Sequence, residues 1–279
     1  MIKLIISSLL FAPLLLTATE KSLNEETVIT HLHYLYKSVK IKGDTVHVKG
    51  PMLSKRVPVN EESSERFSFK KRKFTISLDE FNFEKALAQN TFTAISNDGT
   101  GRGTAVYIGG NFILTNFHVY NREYEMTACK TFKVKLNPDL GSKSFACKKA
   151  IKCNKELDYC LVEMKGDLAK YTHAPNLKLE IEENQIVRLL GNVGSKGLQA
   201  SKARGLVLKG KRYLHQAPLF KGASGGPLFN DSGELIGINF AETKILRGSK
   251  AYNFATPLKF IKEDLEQDTD PSIMGQIAL

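Results

Sequence analysis

Ser224 stands in the stretch KGASGGPLFNDSGELIGI, Lys221 to Ile238, where small residues surround one hydroxyl before Asn230, Asp231, Ser232 and Gly233 lead into an apolar run. Gly222, Gly225 and Gly226 reach backbone angles closed to other residues and let a second backbone approach closely, which suits a tight loop around an exposed hydroxyl. A plain glycine-rich turn would look the same. A hydroxyl is a weak nucleophile until a neighbouring base accepts its proton, so a histidine and a carboxylate must be sought elsewhere in the chain. Of His31, His33, His47, His118, His173 and His215, only His118 has an informative frame, FILTNFHVY, which puts an imidazole at the mouth of an apolar strand. A general base can meet a nucleophile from another segment there, although a lone histidine is also compatible with a purely structural burial. Asp158, in KELDYCLVEM, immediately precedes an apolar strand. A charge in that place is costly to bury unless paired, and a paired carboxylate can hold an imidazole in one tautomer; alone it reads equally as a turn residue.

Short strands must position these three residues. From about residue 90 the chain breaks into brief apolar runs separated by turn signals: TAVYI, FILTN, FKVKL, YCLVEM, IVRLLG, GLVLKG, PLF, ELIGINF and YNFAT. This texture predicts an all-β sandwich or pair of barrels, because a parallel α/β fold needs long helical crossovers. Thr256 and Pro257 open a C-terminal helix over LKFIKEDLEQ, followed by a polar tail. Upstream, Val28, Ile29, Leu32, Leu35, Tyr36 and Val39 follow helical spacing and predict a helix over Asn24–Val39 capped by Asn24. Lys40–Lys73 is polar and basic and reads as a linker or pro-segment. Ser77 and Glu80 form a capping-box pattern that predicts a second short helix.

Four stretches together resemble the trypsin-like serine peptidases over roughly residues 90–262. GTGRGTAVYI, Gly99 to Ile108, is similar to the first-barrel Gly-x-Gly strand; LTNFHV, LDYCLVEM and GASGGPLFN are similar to the histidine, aspartate and nucleophile motifs. They occur in the order His118, Asp158, Ser224, which is the chymotrypsin-type order and excludes the Ser, acid, His order of the α/β-hydrolases. The resemblance implies two six-stranded antiparallel β-barrels with the catalytic triad in the crevice between them. It also implies an oxyanion hole made by the Gly222 and Ser224 N–H groups. Ala223 stands where digestive members keep an aspartate that pairs with a newly cut N-terminus, so activation by that ion pair is not expected. The pattern is closer to the bacterial glutamyl endopeptidase and Deg-type branch, here expected without a PDZ domain. Pro218 occupies the position of the aspartate that selects Lys or Arg, and Asn239 the position of the histidine found in glutamyl endopeptidases. Asn239, Ala241 and Glu242 are expected on the substrate-pocket wall, with His215 nearby.

The chain has 279 residues. MIKLIISSLLFAPLLLTATE begins with Lys3 ahead of an apolar run broken by Pro13, a pattern that reads as a signal peptide over 1–19. The run is too short for a comfortable membrane span, so none is expected after its removal. The remainder divides into an N-terminal pro-segment or collar, 20–80, and a protease domain, 81–279. The expected location is periplasmic or extracellular. There an even count of four cysteines suggests two disulfides. Connectivity is not fixed by sequence; the favoured pairs are Cys129–Cys147 and Cys153–Cys160. The absence of a Cys-x-x-Cys pair and of a His pair at ligand spacing argues against zinc, and the expected chemistry needs no cofactor.

Lys and Arg total 40 against 29 Asp and Glu, a formal net charge of +11. The excess favours anionic partners or serves solubility. No aromatic-interleaved basic motif points to nucleic acid. The sequence therefore supports an exported endopeptidase acting on proteins or peptides. The alternative is a non-catalytic protein of the same fold whose basic surface holds an anionic partner.

Overall fold

In the computed structural model, the residues described are 30–36, 39–53, 70–137, 141, 143–192, 197–217, 221–242 and 253–279. The expected signal peptide lies outside them. The first barrel is built from β5 (Thr91–Ile95), β6 (Arg102–Gly109), β7 (Phe112–Thr115), β8 (Lys133–Lys135), β9 (Ser144–Asn154) and β10 (Tyr159–Met164), closed in the order β10-β7-β6-β5-β8-β9. Side chains of a strand alternate between its two faces. On β6, Ala105 and Tyr107 enter the barrel core with Phe92, Ile113 and Phe145. Val106 and Ile108 point the other way, into a cluster shared with Leu190, Phe229 and Ile238 of the second barrel. This two-sided burial explains why β6 and β7 read as continuous apolar runs.

The second barrel comprises β11 (Ile186–Gly191), β12 (Gln199–Lys209), β13 (Arg212–His215), β14 (Pro227–Asn230), β15 (Leu235–Glu242) and β16 (Asn253–Pro257). Its strands run β11-β14-β15-β16-β13-β12, and β11–β12 pairing closes the ring. The two closed six-stranded antiparallel barrels match the expected fold class. Both favoured disulfides are formed. Cys153 and Cys160 are register partners on β9 and β10, whereas Cys129 ties the segment before β8 to Cys147 of β9.

The N-terminal expectations need correction. Thr30–Tyr34 forms a strand, β1, not part of a helix; the start of the expected helix lies outside the described residues. The reason is an open edge. β13 pairs with β12 from Gly205 to Lys209, and β1 pairs alongside Gln199–Lys202. Unpaired strand edges recruit further strands, and Leu35 N–H continues the contact to Leu198 O at 3.2 Å. The basic stretch expected to be a linker supplies β2 (Lys40–Lys42), β3 (Thr45–Leu53) and the first half of β4 (Lys70–Ser77). β3 pairs with β1, β2 and β4, extending the second barrel's sheet to ten strands.

The expected short helix, α1 (Leu78–Leu87), follows directly. Glu80 N–H donates to the Ser77 hydroxyl at 3.1 Å. Within α1, Glu84 lies 2.9 Å from the buried imidazole of His33 on β1. Glu80 accepts from Arg188 Nη2 at 3.1 and 3.2 Å and from Lys202 Nζ at 3.2 Å. Arg188 also pairs with Asp231 and covers the Phe83 ring. The short one-turn helix α2 (Phe117–Tyr120) follows β7. The C-terminal helix α3 (Leu258–Asp268) buries Leu258, Ile261 and Leu265, one apolar stripe at helical spacing. The tail beyond it is docked: Ile277 is buried and Ala278 N–H donates to Ile108 O at 2.7 Å.

Arg188 is 5% exposed at its side chain and serves two carboxylates. Breaking such a buried pair from one side leaves charge uncompensated. Arg188→Leu is expected to destabilise by about 3 kcal/mol, read as a lower urea midpoint at unchanged slope.

Candidate functional site

His118 lies on α2, the turn that follows strand β7. Phe117, Val119 and Tyr120 are buried and anchor the turn. His118 is thereby left with its side chain 30% exposed. Asp158 ends the turn between β9 and β10 with φ of +49°, a left-handed conformation that aspartate tolerates better than most residues. Two asparagines brace it: Leu157 N–H donates to Asn154 Oδ1 at 3.0 Å, and Asn116 Nδ2 donates to Asp158 O at 2.7 Å. The buried Asp158 carboxylate meets His118 twice. Oδ2 is 2.7 Å from Nδ1, and Oδ1 accepts the His118 main-chain N–H at 3.1 Å. A carboxylate so placed favours the tautomer with the proton on Nδ1, leaving Nε2 as a proton acceptor.

The Ser224 loop is held against the same region. Ser224 O accepts from Thr104 N–H at 2.8 Å. The Thr104 hydroxyl donates to Gly222 O at 2.7 Å and accepts from Asn192 N–H at 2.9 Å. Gly225, at φ +79°, is required by contact: a Cβ there would lie 2.2 Å from Thr104 O and 3.0 Å from the main-chain N of Asn116, two residues before His118. The three candidate segments thus converge. Among the described residues, the Gly222 and Ser224 N–H groups donate to no backbone acceptor, while Gly225 N–H donates to Asn239 O and Gly226 N–H to Ala223 O. Ala223 is fully buried, and a Cβ added at Gly191 would lie 2.6 Å from its methyl.

Around the expected pocket the structure is uneven. Pro218 lies outside the described residues. Ala241 and Glu242 lie at the end of β15, opposite Phe254 and Asn253. Asn239 is fully buried, its main chain holding both Gly225 and Gly226, and its Oδ1 is 2.8 Å from His215 Nε2. His215 is also fully buried. Burial pushes its imidazole down to about 4, and the contact with Asn239 acts in the opposite direction. Thr104 and Asn116 were not singled out by sequence, although both fall inside motif stretches. Among the described residues no cluster of His, Cys, Asp or Glu is arranged to hold a metal, and no helix is long and apolar enough to cross a membrane.

Residues 103–238 match the trypsin-like peptidase domain family. Glutamyl endopeptidase from Staphylococcus aureus strain MW2 is 25% identical over 181 residues, covering 60% of this chain and 55% of the relative. The enzyme from strain MRSA252 gives the same identity and covers 50% of the relative. The chain thus spans about half the length of these curated relatives. Among solved structures, a serine endoprotease from Yersinia pestis is similar at a TM-score of 0.54 and 19% identity, over 66% of this chain and 64% of that one. The likeness lies in the fold. His118, Asp158 and Ser224 all fall inside the segment that matches the trypsin-like peptidase domain family, in agreement with the motif order and the two closed barrels.

Proposed function

We propose that this chain is an exported serine endopeptidase that cleaves peptide bonds through a covalent acyl-enzyme on Ser224. The observation that carries this reading is the double contact of Asp158 with His118, 2.7 Å to Nδ1 and 3.1 Å to the main-chain N. Ser224 Oγ attacks the scissile carbonyl while His118 Nε2 takes its proton. The resulting imidazolium is stabilised by Asp158, and the same proton passes to the leaving amine as the C–N bond breaks. Water then repeats the sequence, releasing the acid product and restoring the serine. The Gly222 and Ser224 N–H groups donate to the tetrahedral oxyanion, each contributing about 3 kcal/mol. Export is supported by the two disulfides and by the leader-like sequence.

Pro218, Asn239, Ala241 and Glu242 are assigned to the pocket. Residues 20–80 are assigned as a collar. Removing β1 would bare the β12 edge together with Leu35, Val46 and Val48, which are buried in the shared core.

A fluorophosphonate probe is expected to label the purified protein and to fail on Ser224→Ala and His118→Ala; equal labelling of all three would sink the mechanism. Asp158→Asn is expected to lower turnover by about 10⁴, through the wrong tautomer. For His215, the folded-state value of about 4 lies below the ordinary 6.5, so the unfolded chain binds more protons. Stability should be full above pH 6.5 and decline between 6.5 and 4, by about 3 kcal/mol. His215→Gln should flatten that part of the urea-stability profile. A chain shortened to begin at Ser77 should unfold at lower temperature and label poorly; wild-type behaviour would remove the collar.

A further inference from the structure

Arg212 rises from β13 of the second barrel and reaches the Asp158 turn of the first. Its Nη2 donates to Glu156 O, and its Nη1 lies 3.2 Å from Thr256 Oγ1 and 3.5 Å from Leu157 O. Thr256 itself donates to Leu157 O at 2.7 Å. Arg212 and Thr256 therefore hold both carbonyls immediately before Asp158. The guanidinium plane is fixed from behind by Phe240, whose ring centroid is 4.3 Å away. Phe240 directly follows Asn239, the residue that holds Gly225 and Gly226.

The charged surroundings are few and specific. Asp158 and Glu156 attract Arg212, and Tyr124 faces it. Lys211 pairs with Glu156 at 3.4 Å, and Lys155 lies over Tyr124, whose ring centroid is 6.4 Å from that of His118. Burial pushes the guanidinium downward, and Asp158 is the first group that holds it up. A guanidinium stays charged across the working range.

We propose that Arg212 is a positioning residue for peptide hydrolysis: it braces the left-handed Asp158 turn from the barrel that carries Ser224, and its charge beside that turn shapes the pH profile of the reaction. This rests on the triad reading above. Two contributions are separable, because Lys keeps the charge and loses the planar fork.

The experiment compares fluorophosphonate labelling rates from pH 5 to 9 for wild type, Arg212→Gln, Arg212→Lys, Ser224→Ala and His118→Ala, with thermal unfolding of each. Arg212→Gln is expected to label roughly 10- to 100-fold more slowly, as small misplacements near reacting groups do. Its acid limb should move to higher pH. Arg212→Lys should label several-fold more slowly with the limb where wild type has it. Wild-type rate and limb in Arg212→Gln would overturn the proposal, as would slower labelling with the limb unmoved, the mark of a purely structural side chain. Where Arg212→Gln does not fold, Arg212→Lys decides: a wild-type rate or a displaced limb overturns it. Failure of the triad reading looks different, with wild type unlabelled or Ser224→Ala labelled.

Discussion

The site depends on how one threonine joins two barrels. Thr104 lies on β6 of the first barrel, yet its N–H and hydroxyl both bind carbonyls of the Ser224 loop in the second. Its own carbonyl accepts the Thr115 hydroxyl at 2.7 Å, one residue before the Asn116 that steadies Asp158. Nucleophile, base and acid are thereby referred to a single residue. Buried polar groups of this kind cost free energy when left unpaired, so a loop displaced from Thr104 would strand several groups at once. Gly225 enforces the same seating by sterics, since any larger residue would collide with the Thr104 carbonyl. Hydrogen bonds and close contact thus specify one loop position.

The residues proposed to do chemistry were legible because each sits in a local pattern: a strand mouth for His118, a turn before an apolar strand for Asp158, and a glycine cluster for Ser224. Strands buried on both faces were legible for a similar reason. YCLVEM and IVRLLG coincide with β10 and β11. What holds those residues in place was not legible. Thr104 meets Gly222 across 118 positions and Arg212 meets Glu156 across 56, so no short window contains both partners. β9 escaped notice because lysines interrupt it: in SFACKKAIKCN, Phe145 and Cys147 face inward while their neighbours are exposed.

The N-terminal region shows a different limit of sequence reasoning. Leu32, Leu35, Tyr36 and Val39 fit a helical stripe, but periodicity does not register a vacant strand edge elsewhere in the fold. β12 has eleven residues. Its partner β13 has four, so backbone groups along Gln199–Lys202 need another partner. Backbone hydrogen bonding decides over local propensity in such a case, because buried N–H and C=O groups are nearly always paired. The lysine-rich composition of β2 and β4 also hid their role. β2 is exposed throughout, whereas β4 packs Phe74 and Ile76 against the core and leaves Lys73 and Thr75 outside.

These linkages place the candidate site under tension between two bodies. Asp158 and His118 are fixed to each other within the first barrel, whereas Ser224 belongs to the second. Beyond the shared apolar core, their relative placement is set where hydrogen bonds cross between barrels, among them those at Thr104 on one side and at Arg212 and Thr256 on the other. Thr104 grips the nucleophile's loop from the base's barrel; Arg212 grips the acid's turn from the nucleophile's barrel. The reciprocal arrangement opposes rotation in both senses, as one crossing point alone would not. It also separates positioning from bond-making. His118 stays partly exposed, while Thr104 and Thr256 are fully buried and Arg212 partly so, where water competes less for their hydrogen bonds.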